Sequence, residues 1–166
     1  MAVWDTSVAS GLHPDTPLFE LASEAALADE PLLLAAPTVQ EIAFGLERQA
    51  DASFAALLAW FKELFSVGVL EVLPLSWDAA LLAGQLRAML PIPPSSSGSR
   101  RDRGTKPERR VAWIADIQIA ATAWLVGEAV CTADQKHFEA LAEAIAELFP
   151  RERKLQVIPP PQLVGA

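Results

Sequence analysis

Short apolar runs alternate with longer stretches of helical period along this chain. Val3-Trp4, followed by Asp5-Thr6-Ser7, predicts a short buried strand ending in a polar turn. Pro17 to Asp29 predicts a helix with Thr16 as N-cap, Pro17 at its first position and a stripe of Leu18, Leu21, Ala25 and Ala28. Leu32 to Ala35, between Pro31 and Pro37, predicts a strand. Thr38 and Glu41 then fit a Thr-x-x-Glu capping box opening a helix with Val39, Ile42, Ala43 and Leu46. Ala52 to Phe65 is apolar on most of its circumference, so that helix needs cover on more than one side. Val69 to Leu73 predicts a strand closed by Pro74, and Ser76 caps a helix through Ala88. Pro91 to Lys106 breaks the pattern with Pro, Ser, Gly and Arg and reads as a loop. Helical period returns from Val111 to Val126. Ala129 to Thr132 predicts a strand, Gln135 to Phe149 a helix with Phe138, Leu141, Ile145 and Leu148 on one face, and Lys154 to Ile158 a last strand.

Short strands alternating with helices imply an α/β fold, a parallel sheet covered on both faces. The expectation is a single domain over residues 1–166, with a flexible basic insert at about 91–110. In such sheets ligands sit outside the carboxyl ends of the strands. Four carboxylates are predicted to reach that edge. Asp5 ends the first strand and Asp134 follows the Ala129–Thr132 strand. Glu41 and Asp116 are expected in the first turns of their helices. Taken singly, Asp5 is equally a turn residue, Glu41 a capping-box acid and Asp134 an N-cap. Asp116 is harder to explain away, because its neighbours from Ala112 to Ala121 are nearly all apolar and a buried carboxylate needs a partner. An all-oxygen cluster suits Mg²⁺ or Mn²⁺, and without a cation four close carboxylates repel one another.

Composition changes this picture in two places. The chain has 166 residues, 52% hydrophobic and 20% charged, enough for a real core and unlike a disordered acidic chain. One cysteine, Cys131, excludes a disulfide scaffold and is read as a buried strand residue. His13 and His137 lack metal-ligand spacing, and His137 is read as a surface histidine within reach of the groove. Thirteen basic against 21 acidic residues give a net charge of −8, which on its face argues against nucleic acid. The distribution weakens that objection and permits RNA at one edge. Arg100, Arg101, Arg103, Lys106, Arg109 and Arg110 cluster against only Asp102 and Glu108, just ahead of Asp116. Arg151, Arg153 and Lys154 form a second cluster, read as charge complementing a helix C-terminus. No uncharged apolar run approaches the ~18 residues that span a bilayer, and Met1 to Asp5 has no leader pattern. The expected location is the cytoplasm, with no membrane partner.

Four segments, in order, resemble those of a PIN-domain ribonuclease, specifically a VapC toxin of a bacterial toxin–antitoxin pair. They are Val3-Trp4-Asp5-Thr6-Ser7, Val39 to Gly45, Asp116-Ile117-Gln118-Ile119-Ala120-Ala121-Thr122-Ala123, and Thr132-Ala133-Asp134 with Phe138. The resemblance implies a three-layer α/β/α domain with a central, mostly parallel sheet. It implies an acidic quartet of Asp5, Glu41, Asp116 and Asp134 holding Mg²⁺ or Mn²⁺, with Asp5 and Asp116 as principal ligands and Thr6 and Thr132 as supporting hydroxyls. The implied reaction is hydrolysis of an RNA phosphodiester by metal-activated water. The implied partners are a VapB-type antitoxin and a second copy in a homodimer. The basic insert departs from the family pattern. It is a solvated passive linker, an antitoxin-binding segment or an RNA clamp through Arg100, Arg101, Arg103, Arg109 and Arg110. The apolar surplus of Trp60, Phe61, Leu64 and Phe65 packs either on a partner or within the chain. Two other readings compete: a catalytically inactive PIN-like module that binds RNA or protein, and a haloacid-dehalogenase-type phosphatase. The second needs an Asp two residues after Asp5, where Ser7 stands.

Overall fold

A computed structural model of the protein describes residues 1–14, 16–48, 52–94 and 106–162. The element order is β1 (Ala2–Trp4), α1 (Thr6–Ala9), α2 (Pro17–Leu27), β2 (Leu32–Ala35), α3 (Ala36–Glu47) and α4 (Ala52–Ser66). It continues with β3 (Leu70–Leu73), α5 (Trp77–Met89), α6 (Lys106–Val126), β4 (Ala129–Cys131), α7 (Gln135–Leu148) and β5 (Val157–Ile158). The strands form one sheet in the order β3-β2-β1-β4-β5, and every pairing is parallel. The order reverses between β1 and β4, so the topological switch point lies at their carboxyl ends.

The two-residue strand period divides the core in two. Val3, Leu33, Ala35 and Val130 face one side, against Leu82 and Leu86 of α5, Trp113, Ile117 and Ala121 of α6, and Phe138, Leu141 and Ile145 of α7. Trp4, Leu32, Leu34 and Cys131 face the other, against Val8, Leu18, Ala22, Ile42, Phe61 and Leu64. This is the α/β/α sandwich expected. Each buried large side chain contributes roughly 1.5–3 kcal/mol relative to exposure, which is what holds so many short strands in place.

Several local expectations change. A one-turn helix, α1, follows β1 directly because Asp5 caps it through the Ser7 amide. In α2, Thr16 caps as expected, yet the buried residues are Leu18 and Ala22, while Leu21 and Ala28 are exposed. The capping box does not form. α3 begins at Ala36, with Pro37 in its first turn, and Thr38 is buried with its hydroxyl 3.4 Å from the Trp4 carbonyl oxygen. α6 begins at Lys106 rather than Val111: Pro107, Glu108 and Arg110 are exposed and Arg109 half-buried in its first turns. Glu41 is therefore in the second turn of α3, and about ten residues of α6 precede Asp116. The last strand shrinks to Val157–Ile158.

The surplus of α4 is absorbed within the chain. Leu58, Phe61 and Leu64 are buried. Trp60 meets the ring edge of Phe19 at 5.4 Å and Phe65 that of Phe61 at 5.2 Å. The second basic cluster does cap a helix, but that helix is α6. The Arg153 guanidinium donates to the carbonyls of Trp124 and Leu125. Gly127, at φ +87°, turns the chain beside it. Among the described residues no helix is long and apolar enough to cross a membrane.

Candidate functional site

Asp5 extends the β1–β4 ladder by one step, since its amide donates to the Cys131 carbonyl at 3.0 Å. That puts its side chain beside the residues leaving β4. Its Oδ1 accepts from the Ser7 amide at 2.9 Å, and its Oδ2 accepts from Ser7 Oγ at 2.7 Å and from Thr132 Oγ1 at 2.5 Å. The Ala133 amide in turn donates to Ser7 Oγ at 3.0 Å. Asp5 is thus both the α1 cap and a fully buried, oriented carboxylate. Thr6, next along, donates to Glu41 Oε2 at 2.5 Å and brings α3 to the same edge. Freed from any capping box, Glu41 turns toward β1.

Thr132 joins the other half. Its Oγ1 accepts from the Asp134 amide at 2.9 Å. Asp134 occupies the N-cap position of α7, but its carboxylate makes no capping hydrogen bond. It is 8% exposed, and its Oδ2 has no hydrogen-bond donor. His137, one turn on, directs Nδ1 at Asp116 Oδ2, 3.1 Å away. The same nitrogen lies 3.2 Å from Asp134 Oδ2, close enough for an ion pair but not aligned as a hydrogen bond. Two linked sets result, Glu41 with Thr6, and Asp5, Thr132, Asp134, His137 and Asp116, joined through the Asp5–Thr6 peptide. All four predicted acids belong to them, carried by α3, β1, α6 and the turn after β4.

His137 is the residue the sequence reading misplaced. It is buried, packed edge-on against Trp113 at 5.3 Å, with Nε2 3.2 Å from the Pro94 carbonyl. The available signal was its place three residues after Asp134, one helical turn on. Both ring nitrogens face acceptors. Burial, the largest single influence, pushes the imidazole down. The hydrogen bond to Asp116, the charges of Asp134 and Asp116 and the Pro94 carbonyl together outweigh it, and its pKa is raised above the ordinary histidine value. Ser7, which the sequence reading gave no role at the site, holds Asp5.

The donor set is oxygen-rich, and the buried Asp134 Oδ2 lacks a donor, a combination that fits a hard divalent cation. Among the described residues no group of three or more His, Cys, Asp or Glu side chains stands close enough together, as arranged, to hold a metal ion. Beside Glu41 lies a cleft of about 250 Å³, lined by Thr6, Leu12, His13, Ile42, Leu46 and Phe54 among others. Arg109 and Arg110 lie in the first turns of α6, and Arg109, half-buried, shares the face of Asp116 two turns earlier. Arg100, Arg101, Arg103 and most of the basic insert lie outside the described residues.

Solved structures share this architecture. The chain is similar to FitAcB from Neisseria gonorrhoeae, at 20% identity and TM-score 0.57, over 95% of this chain and 96% of that one. It is similar to DNA-bound VapBC from Salmonella typhimurium, at 21% identity and TM-score 0.57, over 96% and 98%. A third, VapBC from Rickettsia felis bound to a promoter DNA fragment, gives 14% identity and TM-score 0.56, over 95% and 97%. Among curated proteins no match was found. At these identities the structures establish a common fold. The family follows from sequence, since the model of the PIN domain matches residues 2–144, and the chain belongs to the PIN-domain family.

Proposed function

We propose that the chain is a divalent-metal-dependent endoribonuclease toxin, a single PIN domain neutralised by a VapB-type antitoxin and working as a homodimer in the cytoplasm. PIN domains are generally nucleases, and the observation that carries the finer reading is the gathering of four acids at one edge of the sheet, among them a buried Asp134 Oδ2 with no hydrogen-bond donor. In this reading Asp5 and Asp116 are the principal ligands of Mg²⁺ or Mn²⁺, with Glu41 and Asp134 completing the set. When bound, the cation supplies an activated water and stabilises charge on the phosphate. Thr132 and Ser7 hold the Asp5 carboxylate in one orientation, and Thr6 holds Glu41. Arg109 and Arg110, with Arg100, Arg101 and Arg103 of the insert, contact RNA phosphates.

The antitoxin partner is supported by the similar solved structures, which are described as FitAB and VapBC complexes. The apolar cleft beside Glu41 suits an antitoxin side chain at the acidic groove. Purified protein is expected to cut RNA internally with Mg²⁺ or Mn²⁺. Asp5→Asn and Asp116→Asn are expected to abolish cleavage and toxicity with the circular dichroism unchanged. Undiminished cleavage in both variants would overturn the reading. RNA bound but left intact with either ion would favour the inactive binding module.

A further inference from the structure

We infer that the outer face of α5 is the contact between two copies of this chain, packed antiparallel about a two-fold axis that crosses the helix between Leu82 and Ala83. The inference rests on the homodimer of the reading above and names its surface. α5 buries Ala79, Leu82, Ala83 and Leu86 against the core. The opposite face carries Trp77, Ala80, Leu81, Gly84, Gln85 and Ala88, all of them exposed and none of them charged. Trp77 is 77% exposed and Leu81, one turn on, 53%. The other four tryptophans are buried or half-buried. An indole and a leucine side by side on an uncharged helix face are an apolar patch that association would take out of water. The segment after α5 offers no cover of its own, since residues 95–105, which lie outside the described residues, include no hydrophobic side chain.

Two observations identify the occupant as a second copy. The first is that the face, reversed, fits itself, as a two-fold interface requires. With the axis between Leu82 and Ala83, Leu81 of one copy stands level with Gly84 of the other, and Trp77 level with Ala88. Each large side chain meets a small one, which lets the two helices approach closely. The antiparallel direction also sets the Asp78 end of one helix beside the Arg87 end of the other, whereas a parallel one aligns like charges. The second observation is Gly84 itself. Its backbone needs no positive φ, and a Cβ there would meet nothing within 4 Å. Glycine inside a helix is less stable than alanine, and no described residue uses the space it leaves. A second helix lying across it does.

Sedimentation equilibrium of the purified full chain tests this. The wild type is expected to be a dimer. Leu81→Arg and Gly84→Leu are each expected to weaken it by roughly a hundredfold or more, because one substitution acts twice across a two-fold axis. Gly84→Leu puts a better helix former at an open position, so its circular dichroism is expected to match the wild type. Leu27→Arg, on the exposed apolar residue of α2, is the control and is expected to leave the dimer intact. A dimer retained in Leu81→Arg or in Gly84→Leu overturns this face and leaves the homodimer reading standing. Equal loss of the dimer in Leu27→Arg overturns it too. A monomeric wild type overturns both the face and the homodimer. RNA cleavage by the wild type, measured in parallel, reports on the nuclease reading separately.

Discussion

Thr132 Oγ1 donates to Asp5 Oδ2 at 2.5 Å, joining side chains 127 positions apart across the switch point of the sheet. The same oxygen accepts from the Asp134 amide, so one hydroxyl orients two of the four acids. Thr132→Val keeps the shape and removes both bonds. Leaving a buried donor and a buried acceptor short costs about 1–3 kcal/mol, to be read from denaturant unfolding. Under the nuclease reading, RNA cleavage falls at least tenfold in this variant, and Thr132→Ser restores most of it.

Arg109 stands two turns before Asp116 on one face of α6, about 10 Å along the axis. Under the proposed function, Arg109→Ala weakens RNA binding severalfold at moderate salt. The slope of log affinity against log salt drops by about one, as expected for one lost phosphate contact. An unchanged slope in a filter-binding series would remove Arg109 from the RNA path.

Gly127 ends α6 at φ +87°, and a Cβ there would meet Arg153 Nη1 at 2.9 Å. Gly127→Ala therefore strains the backbone and displaces the arginine from the carbonyls of Trp124 and Leu125. A loss of about 1–3 kcal/mol is expected. Arg153→Ala, which loses the hydrogen bonds without the strain, is expected to cost about 1–2 kcal/mol. Paired thermal denaturation of the two variants checks the order.

Cys131 is buried in β4, and burial, with a smaller contribution from the charge of Asp5, pushes its thiol from the usual 9.0 up to about 11. The folded protein is expected to resist alkylation at pH 8 and the unfolded chain to react. Because the folded state keeps its proton longer, this thiol's contribution to stability is complete below pH 9.0 and is lost as pH rises toward 11. Unfolding free energies of wild type and Cys131→Ala across that window should converge as the pH rises. A constant difference would contradict the assignment.

The strands were legible because strand-length apolar runs bounded by proline or polar turns have few alternatives. Leu32–Ala35, between two prolines, matched to the residue. Asp116 was legible for a similar reason, as a single charge in an apolar helix has no inexpensive place to go. Helix starts were less readable. Glu108, Arg109 and Arg110 are compatible with loop or helix, and it is the tertiary packing of the helix they extend, with Trp113 Nε1 donating to the Leu90 carbonyl and Ile117 in the core, that anchors it. Thr38 and Glu41 had the local spacing of a capping box, but burial of Thr38 under Trp4 outweighs one exposed capping bond.

By itself, then, the sequence determined the layered α/β class, both faces of the sheet and the four acids at its carboxyl edge, because periodicity and strand-end position are local properties. Tertiary structure alone decided how those acids are held. The hydroxyls of Ser7, Thr6 and Thr132 and the ring of His137 become their partners only when β1 and β4 pair and α6 packs on α7. Contacts between residues 35 or 127 positions apart leave no periodic trace in the chain, so His137 reads as a surface residue until the fold closes over it.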